Sequence, residues 1–245
     1  MITGKPFERP VRNAYSLVYS YYTHDPNFYY DKQARKVMAQ VLRKDSNCVD
    51  VGANEGTFLK DILRLAPLGE HIAFEPIPEL AERIAEKYPK VDVYDCALSN
   101  VDGTSTFQLV TNNPGYSGLK RRHYDFGEPV IKEITVRTQM LDDIYPPDRP
   151  LDFIKIDVEG AEYLVLQGGK RTVEKNRPYI VFEHGRGAAE FYDVTPEQVF
   201  DLLVEECGLE VSTMEEWLKD GSSLDREDFI DQFDKVTNYY FLAHP

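Results

Sequence analysis

Along most of the chain, short apolar runs alternate with stretches in which apolar residues recur every three or four positions, the two periods that separate strands from helices. The spacing predicts strands over residues 48–52, 71–75 and 91–95 with helices over 57–66 and 79–88 between them. Pro67-Leu68-Gly69 supplies one turn and Pro89 stops the second helix. Such β-α-β-α-β spacing is that of a parallel sheet with right-handed crossovers. Residues 104–110 and 131–136 then alternate like half-exposed strands, around a loop over 112–123 dense in turn residues. The first rhythm resumes with a strand over 151–157 and a helix from about Gly160 to Gln167, closed by Gly168-Gly169. A strand over 179–183 follows, then a helix over 196–206 opened by Thr195-Pro196. Residues 209–211 and 239–242 suit the last two strands, with an acidic segment around 217–233 between them.

The pattern predicts one α/β domain in four parts. These are a helical cap (1–45), a first half of the sheet (46–100), a β insertion (101–150) and a second half (151–245). In the cap, Tyr15, Val18 and Tyr22, with Tyr19 beside them, recur at helical spacing. They read either as a helix packed on the sheet or as an aromatic lid over a substrate. Phe28-Tyr29-Tyr30 leads into a second helix through Val37, Val41 and Leu42.

Composition narrows the classes. Hydrophobic residues at 42% and charged residues at 29% describe a globular chain. A net charge of −14 argues against nucleic acid or an anionic membrane as the main partner. No apolar run approaches the roughly 18 residues of a spanning helix, and Cys48, Cys96 and Cys207 lack metal or redox spacing. They read as buried thiols in a reducing compartment, so a cytoplasmic location is expected.

Candidate chemistry gathers at the first strand's end, Cys48-Val49-Asp50-Val51-Gly52-Ala53-Asn54-Glu55-Gly56. A glycine bend there lets a ligand approach closely. Asn54 stands where a dinucleotide fingerprint needs its second glycine, so no pyrophosphate cradle is expected. In an open parallel sheet the ligand crevice lies beyond the carboxyl ends of the strands. The residues expected there are Asp50, Glu75, Asp95, Asp157 and Glu183-His184. An acidic residue at every tip suits a cationic, hydroxylated ligand. Glu75 is placed for a ribose diol, Pro76 and Pro78 to stiffen the turn under the adenosine, and Asp95-Cys96-Ala97 for an adenine edge. A ribose, an adenine and a positive charge describe S-adenosylmethionine. The full set expected to hold it is Asp50, Gly52, Ala53, Asn54, Gly56, Thr57, Phe58, Glu75, Pro76, Ile77, Asp95, Cys96, Ala97, Asp157 and Glu162.

Several motifs in order resemble those of the FkbM-type methyltransferases. They are Val49-Asp50-Val51-Gly52-Ala53-Asn54-Glu55-Gly56, Phe74-Glu75-Pro76-Ile77-Pro78, Ala97-Leu98-Ser99, Gly115-Tyr116-Ser117-Gly118-Leu119, Leu141-Asp142-Asp143 and Lys155-Ile156-Asp157-Val158-Glu159-Gly160-Ala161-Glu162. The resemblance implies a class I methyltransferase fold, a Rossmann-like, mostly parallel seven-stranded sheet flanked by helices. It also implies S-adenosylmethionine as donor and, as acceptor, a hydroxyl on a sugar, glycan or polyketide-like small molecule. The family often carries a second serine where Gly118 stands here.

Two catalytic routes fit the residues. In one, His184, Asp157 or Glu159 is a general base for the acceptor hydroxyl. In the other, Asp157, Glu183 and His184 hold a divalent cation, Mg²⁺ or Mn²⁺, that acidifies it. Ser117, Arg121 and Arg122 are the expected acceptor contacts, the two arginines for a phosphate or carboxylate on it. A nicotinamide-dependent oxidoreductase on a similar sheet, and a non-catalytic binding module, are the competing readings. Oligomeric state is not legible.

Overall fold

The computed structural model describes residues 26–124 and 126–245; the tyrosine stripe of Tyr15, Tyr19 and Tyr22 lies outside them. Helix α1 (Pro26–Val41) precedes β1 (Cys48–Val51), α2 (Thr57–Leu65), β2 (His71–Phe74), α3 (Pro78–Lys87) and β3 (Val91–Tyr94). Next come β4 (Cys96–Leu98), β5 (Gly103–Val110), β6 (Ile131–Gln139), the short α4 (Leu141–Ile144) and β7 (Phe153–Ile156). The chain continues through α5 (Glu162–Gly168), α6 (Lys170–Asn176), β8 (Tyr179–Glu183) and α7 (Pro196–Phe200), which runs on as a π-helical segment to Glu206. It ends with β9 (Glu210–Thr213), α8 (Met214–Trp217), α9 (Arg226–Asp234) and β10 (Tyr240–His244).

The main sheet has the order β3-β2-β1-β7-β8-β10-β9. β3 to β8 pair in parallel, while β10 runs antiparallel to both β8 and β9. This is the class I methyltransferase sheet. The switch point between β1 and β7 opens the crevice at their carboxyl ends. Helix starts follow local chemistry. Pro78 opens α3 without needing an amide partner, and Thr195 and Gln198 close a reciprocal capping box on α7.

The insertion is a second sheet, β4-β6-β5. β5 and β6 form the expected antiparallel pair, but Cys96 and Ala97, expected only as an adenine edge after the third strand, belong to a separate strand β4 that pairs in parallel with β6. Three residues carry too little periodicity to reveal that strand.

Alternation along the strands divides the main sheet into two faces. Val49, Val51, Ile154, Ile156 and Phe182 face α5, α6, α7 and α9; Cys48, Phe153 and Val181 face α1 and α2. By the same alternation Asp50 and Lys155 lie on the α1/α2 face, where they are direct register partners across β1 and β7. The three cysteines are buried and unlinked. Among the described residues no helix is long and apolar enough to cross a membrane.

Candidate active site

A cavity lies beyond the carboxyl ends of β1, β2 and β7, walled by β4 and by the loop after β5. On the β2/β4 side it is lined by Glu75, Pro76, Ile77, Cys96, Ala97 and Phe107. Gly52, Ala53, Asn54, Thr57 and Phe58 form its middle, and Lys155, Asp157, Glu159 and Asp31 its far end. Asp31 comes from α1.

The bend after β1 is tight for reasons internal to the chain. Gly52 has φ +73°, and a Cβ there would stand 1.9 Å from the Asp157 carbonyl oxygen. Glycine is therefore required by β7, not by a ligand. The amides of Gly52 and Ala53 both donate to the Phe74 carbonyl, at 3.0 and 3.1 Å, and the Asn54 amide donates to Glu75 Oε2 at 2.8 Å. The three amides of this bend are thus spent on Phe74 and Glu75 at the end of β2, in keeping with the absence of a pyrophosphate cradle.

Glu75 is buried, and its other oxygen, Oε1, accepts from the Ile77 amide at 2.9 Å. Burial pushes its pKa up to about 7 against the pull of those two amides. Its remaining lone pairs make it an acceptor of hydroxyl protons at the cavity wall.

At the far end Lys155 is the organising charge. Its Nζ donates to the Gly52 carbonyl at 3.0 Å, lies 3.3 Å from Asp157 Oδ2 and 3.8 Å from Asp50 Oδ1. Burial alone would lower its pKa, but Asp157 and Asp50 outweigh burial and hold the ammonium above its ordinary range. Asp50 is raised by burial, which Lys155 only partly offsets. For Asp157 burial is outweighed by Lys155, with Tyr240 and Glu183 hydrogen-bonding as well, and its carboxyl falls below the usual range. Glu183 is pushed well above the ordinary range by desolvation, then by Asp157 and Glu162. Burial and the neighbouring carboxylates push Glu183 up, while Lys155 holds Asp157 down, so the two groups are driven apart.

A model of the methyltransferase FkbM domain matches residues 50–211. The chain belongs to that family. Among relatives it is 26% identical over 166 residues to the 2-O-methyltransferase NoeI of Sinorhizobium fredii, covering 60% of this chain and 66% of that protein. It is 31% identical over 152 residues to the methyltransferase sdnD of Sordaria araneosa, covering 49% and 59%. A third relative, methyltransferase 1 of Beauveria bassiana, matches over 58% of its own length, so the chain spans less than two thirds of each. The solved FkbM methyltransferase of Methylobacillus flagellatus superposes with a TM-score of 0.49 at 15% identity, covering 83% of this chain and 44% of that one.

Within this FkbM-family chain, the residues singled out from sequence divide. Gly52, Ala53, Asn54, Thr57, Phe58, Glu75, Pro76, Ile77, Cys96, Ala97, Asp157, Glu159 and Ser117 all line the cavity. The others do not. Asp50 faces Lys155 within the sheet. Gly56 is closed by the Tyr88 ring, 2.8 Å from where a Cβ would be. Asp95 forms an ion pair with Arg137 of β6 and is half exposed. Glu162 folds back to accept the amides of Val158 and Gly160 at 3.0 and 3.1 Å, a clasp on its own loop.

The acceptor arginines are also engaged. Arg121 donates to Gln108 at 3.1 Å, and Arg122 forms an ion pair with Glu159 while lying over the Tyr116 ring. Ser117 Oγ accepts the Val110 amide at 3.0 Å. These partners brace the loop against β5 and the cavity rim.

His184 departs most from expectation. Glu183 and His184 are consecutive at a strand end, so their side chains go to opposite faces. Glu183 turns toward Asp157, whereas His184 is 1% exposed and stacks on Phe233 and Phe229 of α9 at 4.9 and 6.0 Å. Burial lowers its pKa to about 4. The set Asp157, Glu183 and His184 is therefore not assembled, and no group of three such ligands occurs among the described residues. These residues do not fit a Mg²⁺ or Mn²⁺ site, and His184 does not reach the cavity as a base.

Sequence reasoning missed Lys155 and Asp31 as site residues. A lysine inside the apolar run Phe153-Ile154-Lys155-Ile156, beside Asp50 inside Cys48-Val49-Asp50-Val51, was the available signal for the first. Asp31 gave none, because only the docking of α1 brings it in.

Proposed function

We propose that this chain transfers a methyl group from S-adenosylmethionine to a hydroxyl oxygen of a sugar, glycan or polyketide-like small molecule. The observation that carries the donor assignment is the buried Glu75 carboxylate in the cavity wall, between an apolar slot and an anionic end. The slot of Ile77, Ala97 and Phe107 has the character a purine needs, Glu75 accepts from a ribose diol, and the end at Asp157 and Asp31 favours a sulfonium. Commitment of the Gly52, Ala53 and Asn54 amides to β2 disfavours a pyrophosphate, hence a nicotinamide dinucleotide. The hydroxyl acceptor is supported by the 2-O-methyltransferase name of one relative.

When bound, S-adenosylmethionine supplies an activated methyl group. The chain must align the acceptor oxygen with it, a contribution of about 7–11 kcal/mol from orientation alone. Asp157 is placed as the base that takes the acceptor proton. Lys155, 3.3 Å from its Oδ2, favours its ionised form. Glu159, tied to Arg122, shapes the rim beside it.

Calorimetric titration with S-adenosylmethionine and with NADH, followed by methyl transfer to a panel of saccharide and polyketide hydroxyls, tests the reading. Binding of the first nucleoside alone is expected, and Asp157→Asn should slow transfer about 10²–10⁴-fold at saturating donor. A wild-type chain that binds NADH and not S-adenosylmethionine overturns the assignment.

A further inference from the structure

Asp31 belongs to α1, ahead of the segment that the FkbM model matches, yet its carboxylate lines the same cavity as Gly52, Thr57, Phe58 and Lys155. Its placement is built. Arg35, one turn along α1, holds Asp31 Oδ2 at 3.1 Å and Asp61 of α2 at 2.9 Å, and its guanidinium lies 5.0 Å from the centre of the Phe58 ring. One arginine thus pins α1 to α2 and turns Asp31 toward the bend after β1.

The sheet order decides what meets it. With its base at the β2/β4 side and its ribose at Glu75, an elongated nucleoside crosses the end of β1 and brings its tail to the β7 side, beneath α1. The other carboxylates along that path are already engaged. Asp157 is paired with Lys155 and Glu183, and Glu159 with Arg122. Asp31, 43% exposed at its side chain, shares its arginine with Asp61 and faces the cavity.

We propose that Asp31 is a donor-positioning residue that receives the α-ammonium of the donor's amino-acid tail. The inference rests on the reading of the cavity as an S-adenosylmethionine site. It makes the helix outside the family core the element that sets how tightly an amino-acid tail is held, and therefore where the sulfur sits against Asp157. A charge-assisted hydrogen bond of this kind is worth about a 10- to 100-fold change in affinity.

The test needs no acceptor. The full chain and its Asp31→Asn variant are titrated calorimetrically with S-adenosylhomocysteine and with 5′-methylthioadenosine, which has the same nucleoside but no amino-acid tail. Asp31→Asn is expected to weaken the first at least tenfold and the second less than twofold, with an unchanged unfolding midpoint; Asp31→Ala should repeat the pattern. Unchanged affinity for S-adenosylhomocysteine, or equal losses for both ligands, overturns the inference. A wild-type chain that binds neither nucleoside overturns the donor reading itself, an outcome read separately because it precedes any substitution.

Discussion

Lys155 and Asp50 stand directly opposite each other across the β1–β7 register, their side chains 6% and 1% exposed and their charges 3.8 Å apart. The pair occupies a position that elsewhere on this face holds apolar residues such as Cys48 and Phe153. It lies at the switch point of the sheet, where the same ammonium reaches the Gly52 carbonyl and the Asp157 carboxylate. One buried cation thereby ties the bend after β1 to the carboxylate at the end of β7.

Removing that cation leaves carboxylates buried without their counter-charge. Lys155→Met should cost about 3–5 kcal/mol of stability, measured by urea denaturation. Adding Asp50→Asn to it should recover part of the loss, because a neutral amide no longer needs a counter-charge, and non-additivity in this double-mutant cycle is the expected sign of the pair. Simple addition of the two effects would show that the charges are not coupled.

Glu75 carries a pH signature of its own. Its pKa rises in the fold from 4.5 to about 7, so the stability it contributes by holding a proton is complete below about 4.5 and lost as pH rises through about 7. Ligand hydroxyls prefer the ionised form. Donor affinity in the wild type should therefore climb from pH 6 to pH 8 with proton release, and be flat and weaker in Glu75→Gln. Calorimetry in buffers of different ionisation enthalpy measures both, and a pH-independent wild type would remove Glu75 from the ribose.

His184 should behave as a core residue. With its folded pKa lowered to about 4 from 6.5, its contribution is intact above 6.5 and lost as pH falls through about 4. The loss amounts to about 1.4 kcal/mol per pH unit in that window. His184→Phe, which keeps the stack on Phe229 and Phe233, should bind donor like the parent and show a shallower acid arm in thermal melts. Loss of donor binding in that variant, at unchanged stability, would return His184 to the site.

At Gly52 the expected outcome is a folding defect, not a ligand effect. Alanine would place a methyl group 1.9 Å from the Asp157 carbonyl oxygen at a φ of +73°. The backbone strain alone costs about 1–3 kcal/mol. Thermal unfolding of Gly52→Ala should show a clearly lower midpoint with and without nucleoside. A variant as stable as the parent but unable to bind would mean that the ligand needs this space.

Local pattern was enough for the strands of the main sheet and the helices that alternate with the first of them, the carboxyl-end location of the crevice, and Glu75, Gly52 and Asp157 within it. Each follows from residue period, turn chemistry or position at a strand end, which are properties of neighbours in sequence. Pairing decided the rest. That β4 joins β6, that Asp50 meets Lys155 and not a ligand, and that Asp95 and Arg122 are drawn to Arg137 and Glu159 depend on register between segments far apart in the chain. His184 shows the limit most sharply: adjacent to Glu183 in sequence, it is carried to the other face by the two-residue period of the strand and closed in by Phe229 and Phe233. Which carboxylates look into the cavity is a question of packing between distant elements, and Asp31 enters it because α1 docks through its buried Ala34, Val37 and Met38, with Arg35 bridging it to α2.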